Sequence, residues 1–169
     1  KVLGPDDLER ELLRPELRCV PPFLLQMWKQ RAALGPLASE LARAGDAARL
    51  ATTRALGLAG APLLLGTDMG NPWVVAGWSV HEELANLVVA GLSPAAALRA
   101  ATRTPAECLG ATGEFGAVVE GLRADLLLLE ADPRMDVGAA RRRVGVVLRG
   151  TWYAEAELQR RVEEVAAQM

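Results

Sequence analysis

The stretch "APLLLGTDMGNPWVVAGWSVHEEL", residues 61–84, decides how the chain is read. It opens with a short continuous apolar run bounded by Gly66, directly after a helical pattern. A run of that kind is the pattern of a parallel strand covered on both faces. The run ends on a carboxylate, Asp68, followed by a polar turn at Asn71-Pro72. A helix then begins: Ser79 and Glu82 are spaced as a capping box, and Leu84, Leu87 and Val88 form an apolar stripe. Gly91 stands where a C-terminal cap belongs. This segment also holds the single histidine of the chain, His81.

Outward from this segment the pattern alternates. Upstream, "DDLERELL" predicts a short helix capped by Asp6 or Asp7 and closed by Pro15. "PELRCVPPFLLQMW" carries Pro15, Pro21 and Pro22 and predicts a loop or extended connection. Residues 37–44 predict a helix. A second helix is expected from Asp46, with Ala47, Leu50, Ala51, Ala55 and Leu58 on one face and Gly60 closing it. Downstream, Ser93-Pro94 opens a helix with Pro at its first position, and Thr104-Pro105 repeats the device before Gly110. From residue 113 the texture is short and β-like. "FGAVVEGLRADLLLLEA" predicts two strands about Gly121, and "RVGVVLRGTWY" two more turning at Gly150. Residues 154–169 predict an amphipathic helix with Leu158, Val162, Val165 and Met169 on one face.

Composition narrows the function classes. With 169 residues, 51% hydrophobic, the chain is long enough for a packed core and too apolar for disorder. A net charge of −2 from scattered charges argues against a nucleic-acid surface. No apolar run is long enough to span a membrane, and the N-terminus does not read as a signal peptide. Cys19 and Cys108 have no metal spacing, so a reduced, cytoplasmic protein is expected. The first residue is Lys1 rather than Met, a first hint of a piece of something larger.

Asp68 is the principal candidate for chemistry. An acid at the C-terminal end of a barrel strand stands on the face where β/α-barrel sites are built. There it can bind a metal and accept a proton from metal-bound water. It can equally form an Asx turn or cap a helix. His81 reads as a ligand or as a hydrogen-bonded first-turn histidine. Trp73 and Trp78, flanking the Asn71-Pro72 loop, read as lining for an apolar substrate pocket or as packing of that loop. Arg141, Arg142 and Arg143 read as a solvated face. There is no phosphate-binding glycine loop and no nucleophile elbow, and Ser79 is better explained as a cap than as a nucleophile.

The motifs also form a series. "LLLGTDMGNP" is followed by "SVHEELANLVVAGLSPAAALRAATRTPAECLG", then "GAVVEGLRADLLLLEADP", then "VVLRGTW". This order, from about Ala61 to about Trp152, resembles the C-terminal part of the metal-dependent amidohydrolase superfamily, in its imidazolonepropionase-like and prolidase-like branch. The resemblance implies a (β/α)8 barrel joined to a small β-sandwich built from both chain ends. It makes "GTD" the end of the eighth barrel strand. Asp68 then matches the acid that touches the metal and serves as general base. Asn71, Trp73, Trp78 and His81 become substrate-loop candidates.

The expected α/β architecture is therefore the C-terminal part of a barrel over residues 1–112, β-strands of a composite sandwich over 113–153, and a terminal helix over 154–169. The implied cofactor is a divalent metal, zinc, one or two ions, with most ligands outside this chain. The family's H-x-H pair, mid-barrel ligand and two later histidines are missing, and Lys1 and Lys29 sit in no matching context. A full barrel needs on the order of 250 residues. A C-terminal fragment, inactive alone, follows from the resemblance. Its partners are a small-molecule amide substrate and the remainder of its own barrel, with no nucleic acid and no membrane; a homo-oligomer stays open. The alternatives are a non-catalytic α/β module for binding or assembly, and a metal site formed by Asp68 and His81 across a dimer.

Overall fold

The computed structural model describes residues 5–32 and 36–169; Lys1 and the side chain of Asp6 lie outside what is described. It is a mixed α/β structure in which helices dominate the first two thirds and a small antiparallel sheet follows. No helix among the described residues is long and apolar enough to cross a membrane.

Helix α1 spans Pro5–Leu12. Its start at Pro5 places Asp6 and Asp7 inside the first turn rather than at the cap. The expected loop that follows is helical instead: a 3-10 turn over Pro15–Cys19, then α2 over Pro22–Ala32. The prolines sit at the first position of each, where the missing N–H is no loss, so they start helices rather than break them.

The two helices expected around Asp46 are a single one, α3, over Pro36–Leu58. Gly45 costs an exposed helix only about 0.5–1 kcal/mol, and Asp46 pairs with Arg49 one turn on instead of capping a new start. The expected apolar face of α3 is largely open, with Leu58 80% exposed. Contact with the rest is made near Gly57, whose Cα faces Leu92 and Leu63. Gly60, at φ +74°, closes the helix as expected, and Ala61 N–H returns to the Leu56 carbonyl at 3.0 Å.

Residues 61–68 form no ladder with another strand among the described residues. Exposure nevertheless alternates along them, with Ala61, Leu63, Leu65 and Thr67 half-buried and Pro62, Leu64, Gly66 and Asp68 exposed. That period of two belongs to a strand with one face covered. The covered face meets the next helices, and the Leu65 N–H donates to the Ala100 carbonyl at 2.9 Å. The expected strand thus has its periodicity without a partner to pair with.

Helix α4 spans Ser79–Val89, α5 Pro94–Ala101 and α6 Arg103–Cys108. The Ser93 hydroxyl caps α5 by accepting from the Ala96 N–H at 3.2 Å. Thr104 and Pro105 do not repeat the device, since α6 already starts at Arg103. Leu84 and Leu87 of α4 pack with Ala97 and Ala100 of α5 and with Val137 and Ala140 of a 3-10 turn, Val137–Arg141, as one core cluster. A second cluster joins Leu17, Val20, Trp28 and Ala32 to Trp73 and Val75.

The sheet has order β1-β2-β3, with β1 at Leu126–Leu129, β2 at Arg143–Leu148 and β3 at Thr151–Ala154. The hairpin expected about Gly121 is absent, and Val118 is 85% exposed. The hairpin at Gly150 is present. Arg149 and Gly150 both have positive φ, 49° and 81°, the pattern of a two-residue type I′ turn that suits strand twist. Asp125 holds this turn by accepting from the Arg149 N–H at 2.8 Å. Helix α7, Glu155–Ala166, then lies against β2, β3 and the first 3-10 turn. Arg143 anchors it through a two-pronged pair with Glu155, at 2.9 and 3.0 Å.

Candidate functional site

The turn after residues 61–67 is built around Asp68. Its φ is +52°, a left-handed conformation that aspartate tolerates better than most residues. The Asn71 side-chain amide donates to Asp68 Oδ2 at 2.6 Å and to the Asp68 carbonyl at 3.1 Å. The carboxylate is exposed, and Oδ1 has no hydrogen-bond partner among the described residues. The structure therefore brings Asp68 and Asn71 together as one small polar constellation. Asn71 orients the acid and leaves one oxygen open.

Trp73 is placed differently. It is 2% exposed, and its ring packs on Trp28 with centroids 5.8 Å apart and planes tilted by 51°. It fastens the loop to the core. Trp73 also has φ +69°, an outlier for a bulky residue that costs on the order of 1–3 kcal/mol and is held only by its surroundings. After it, Ser79 does not form the expected capping box. Its hydroxyl accepts from the Val75 N–H at 2.9 Å, and its own N–H donates to the Val75 carbonyl at 3.0 Å. The loop folds back on itself before α4 starts, so the hydroxyl is already engaged when the helix begins.

Glu82 is drawn away from the cap by Arg14. The Arg14 side chain is 13% exposed and makes a node of four groups. Nη1 meets Glu11 Oε2 at 2.7 Å and the Trp73 carbonyl at 3.3 Å. Nε donates to Glu16 Oε1 at 2.9 Å, and Nη2 lies 2.8 Å from Glu16 and 2.9 Å from Glu82. Burial disfavours the charged guanidinium, but the surrounding carboxylates outweigh it and hold the Arg14 pKa above its ordinary value. The sequence reading missed this node, although Glu11 and Arg14 stand at helical i, i+3 spacing with Glu16 two residues on.

Trp78 and His81 face a separate feature. They line a half-open, mostly apolar groove of about 1060 Å³ between the Cys19–Leu24 region, the loop and α7. Met69 and Gly70 reach this groove, while Asp68 does not line it. His81 is half-buried, and its pKa is lowered, first by burial and then by Arg141 and Arg143. The imidazole is therefore held toward its neutral form, and it lines the groove that Asp68 does not.

Among the described residues no three His, Cys, Asp or Glu side chains gather as a metal would require. Cys19 and Cys108 are free thiols. A catalytic zinc usually takes three protein ligands. The donors among the described residues do not fit a complete metal site; Asp68 is at most one member of one.

Residues 37–156 match the sequence profile of the amidohydrolase family. None of the curated proteins matches the chain significantly. Among solved structures, a bottromycin amidohydrolase is 30% identical and superposes with a TM-score of 0.76 over 94% of this chain and 36% of that one. A Xaa-Pro dipeptidase with methionine bound in its active site is 19% identical, with a TM-score of 0.55 over 90% of this chain and 38% of that one. Molinate hydrolase is 21% identical, with a TM-score of 0.54 over 90% and 36%. These last two share the fold. The chain spans little more than a third of the length of each of the three. With 120 residues (37–156) matched to one profile and a 30% identical structure superposed over 94% of this chain, the chain belongs to the amidohydrolase family.

Proposed function

We propose that this chain is the C-terminal portion of a metal-dependent amidohydrolase that hydrolyses a C–N bond in a small amide, lactam or dipeptide-like molecule. The observation that carries the reading is the setting of Asp68. It stands at the end of a period-two apolar segment, exposed, with Asn71 fixing one oxygen and the other open. Residues 61–67 are read as a strand of the family's barrel, and β1–β3 as part of its small sandwich.

A divalent metal, zinc by family pattern, supplies a water that ionises near neutral pH when it is bound. Its remaining ligands belong to the rest of the barrel, outside this chain. The part assigned to this chain is proton handling. Asp68 Oδ1 takes a proton from the attacking water as the new C–O bond forms. It then gives that proton to the nitrogen as the C–N bond breaks, yielding an acid and an amine. Asn71 keeps the carboxylate turned outward. Trp78 and His81, on the groove, are proposed to belong to the substrate side of the loop, with the buried Trp73 supporting it.

A non-catalytic binding module is the competing reading, and the observation favouring it is that Asp68 stands outside the groove. Two proteins separate the readings: this chain alone, and the longest polypeptide encoded in frame with it. Bound divalent metal and hydrolysis of a panel of small amides, Xaa-Pro dipeptides included, are measured for both. The proposal expects metal and turnover in the longer polypeptide and neither in the chain alone. A longer polypeptide that binds no divalent metal defeats it.

A further inference from the structure

The buried ionic node at Arg14 lies outside everything assigned so far. Its guanidinium joins four parts of the molecule: Glu11 at the end of α1, Glu16 in the following 3-10 turn, Glu82 in the first turn of α4, and the Trp73 carbonyl in the loop. Glu11 and Glu16 are themselves buried. Such a cluster is a poor device for stability alone, because apolar residues of the same volume often serve as well or better. It is a good device for orientation, because a planar fork of donors fixes direction as well as distance.

What it orients is the loop. Trp73 is held at positive φ, two residues after Asn71 and five after Asp68. Two groups hold it there. Trp28 packs its ring, and Arg14 takes its carbonyl. From Trp73 the chain runs back through the Val74 N–H, which donates to the Asn71 carbonyl at 3.2 Å, to the amide that fixes Asp68. We infer that Arg14 is a positioning residue: by gripping the Trp73 carbonyl from a node shared with α1, the 3-10 turn and α4, it sets the attitude of the Asp68–Asn71 turn. A merely structural Arg14 could be replaced by any arrangement that keeps the core folded. A positioning Arg14 cannot, since lysine offers a point charge in place of the fork.

The inference rests on the hydrolytic reading of Asp68 only for its consequence in turnover, so its first test needs no substrate. In this chain, the side-chain amide signals of Asn71 and the indole N–H of Trp73 are followed by 1H–15N NMR in two variants. Arg14→Lys keeps the charge. The triple variant Arg14→Met, Glu11→Gln, Glu16→Gln removes the guanidinium together with its two buried carboxylates and leaves only Glu82, whose side chain is 40% exposed. The methyl signals of Leu87 and Ala97, in the other core cluster, report whether the fold is kept. The expected result is that both variants keep those methyl signals, while the Asn71 amide loses its bonded shift and the Trp73 indole moves. Unchanged Asn71 and Trp73 signals in either folded variant overturn the inference. So does loss of the methyl signals in both variants, which makes the node a stability device. In the longer polypeptide, Arg14→Lys is expected to lower kcat by about 10²-fold with KM held within a factor of about two, as for a misplaced catalytic group. If the unmodified longer polypeptide hydrolyses nothing, the hydrolytic reading fails, and the NMR result still decides the role of Arg14.

Discussion

Leu64 offers a substitution whose cost depends on whether residues 61–67 are a barrel strand. Its side chain is 51% exposed, on the open face of the alternating segment. Full burial of a leucine is worth about 1.5–3 kcal/mol, so the half already covered is worth about 1 kcal/mol. In this chain alone, Leu64→Asp therefore costs about 1 kcal/mol, because the new carboxylate reaches water. On the proposed barrel reading, the same face is covered by neighbouring barrel elements in the longer polypeptide. There the substitution forfeits the whole side chain and buries an unpaired charge, a loss of about 3–5 kcal/mol or more. Urea unfolding of both proteins at pH 7, with and without the substitution, gives the two losses from the shift in midpoint at unchanged slope. Leu63→Asp is the control. Leu63 lies on the covered face, close to Gly57, and its loss is severe in both proteins. Equal losses at Leu64 in the two proteins would refute the assignment of this segment to a strand covered on both sides.

Three further outcomes follow from particular contacts. A Cβ at Gly145 meets the Trp152 ring and comes within 2.6 Å of the Tyr153 carbonyl oxygen, so Gly145→Ala strains the middle of the sheet. The expected loss is about 1–3 kcal/mol, read as a lowered Tm by circular dichroism; an unchanged Tm contradicts the β2–β3 register. Trp73→Ala removes a buried ring packed on Trp28 and is expected to cost about 3–5 kcal/mol, with a midpoint shift below 1 kcal/mol contradicting its place in the core. His81 has a lowered pKa in the folded chain, so below pH 6.5 the unfolded state binds the proton first. Stability accordingly falls as pH drops from 6.5 until the lower folded pKa is passed. His81→Phe is expected to flatten that slope, and an identical slope in the variant contradicts a half-buried imidazole whose charged form is disfavoured.

Much of the architecture was legible because local patterns coincide with packing. The Ser93-Pro94 start, the glycine stops at Gly60 and Gly91, and the Arg149-Gly150 hairpin are all short-range chemistry, and each is where the sequence places it. The strand pattern of residues 61–67 was legible in its period, but its ladder depends on neighbours that no local pattern supplies. The prolines at 15 and 22 were misread as breakers because they sit at helix starts, and proline looks the same at either place until the following turn is known. The break expected in α3 rested on Asp46 as the cap of a second helix, which the alanine-rich flanks override. At the site, Asp68 was legible as a lone acid ending an apolar run. Asn71 was legible as a turn residue and, through the resemblance, as a substrate-loop candidate, but not as the partner that orients Asp68. Of the Arg14 node only the local pair was legible, in the i, i+3 spacing of Glu11 and Arg14; its reach to Glu82, 68 positions on (14 to 82), runs through charge and has no periodic signature.

The central claim is that Asp68 does proton-transfer work in an amidohydrolase. Asparagine tolerates the same positive φ and keeps an acceptor for Asn71. In the longest in-frame polypeptide, kcat/KM of Asp68→Asn for the small amide it hydrolyses best is the most direct measurement. The account predicts a fall of at least about 10²-fold, with the unfolding free energy within about 0.5 kcal/mol of the unsubstituted protein. Near-normal turnover in the asparagine variant would contradict it.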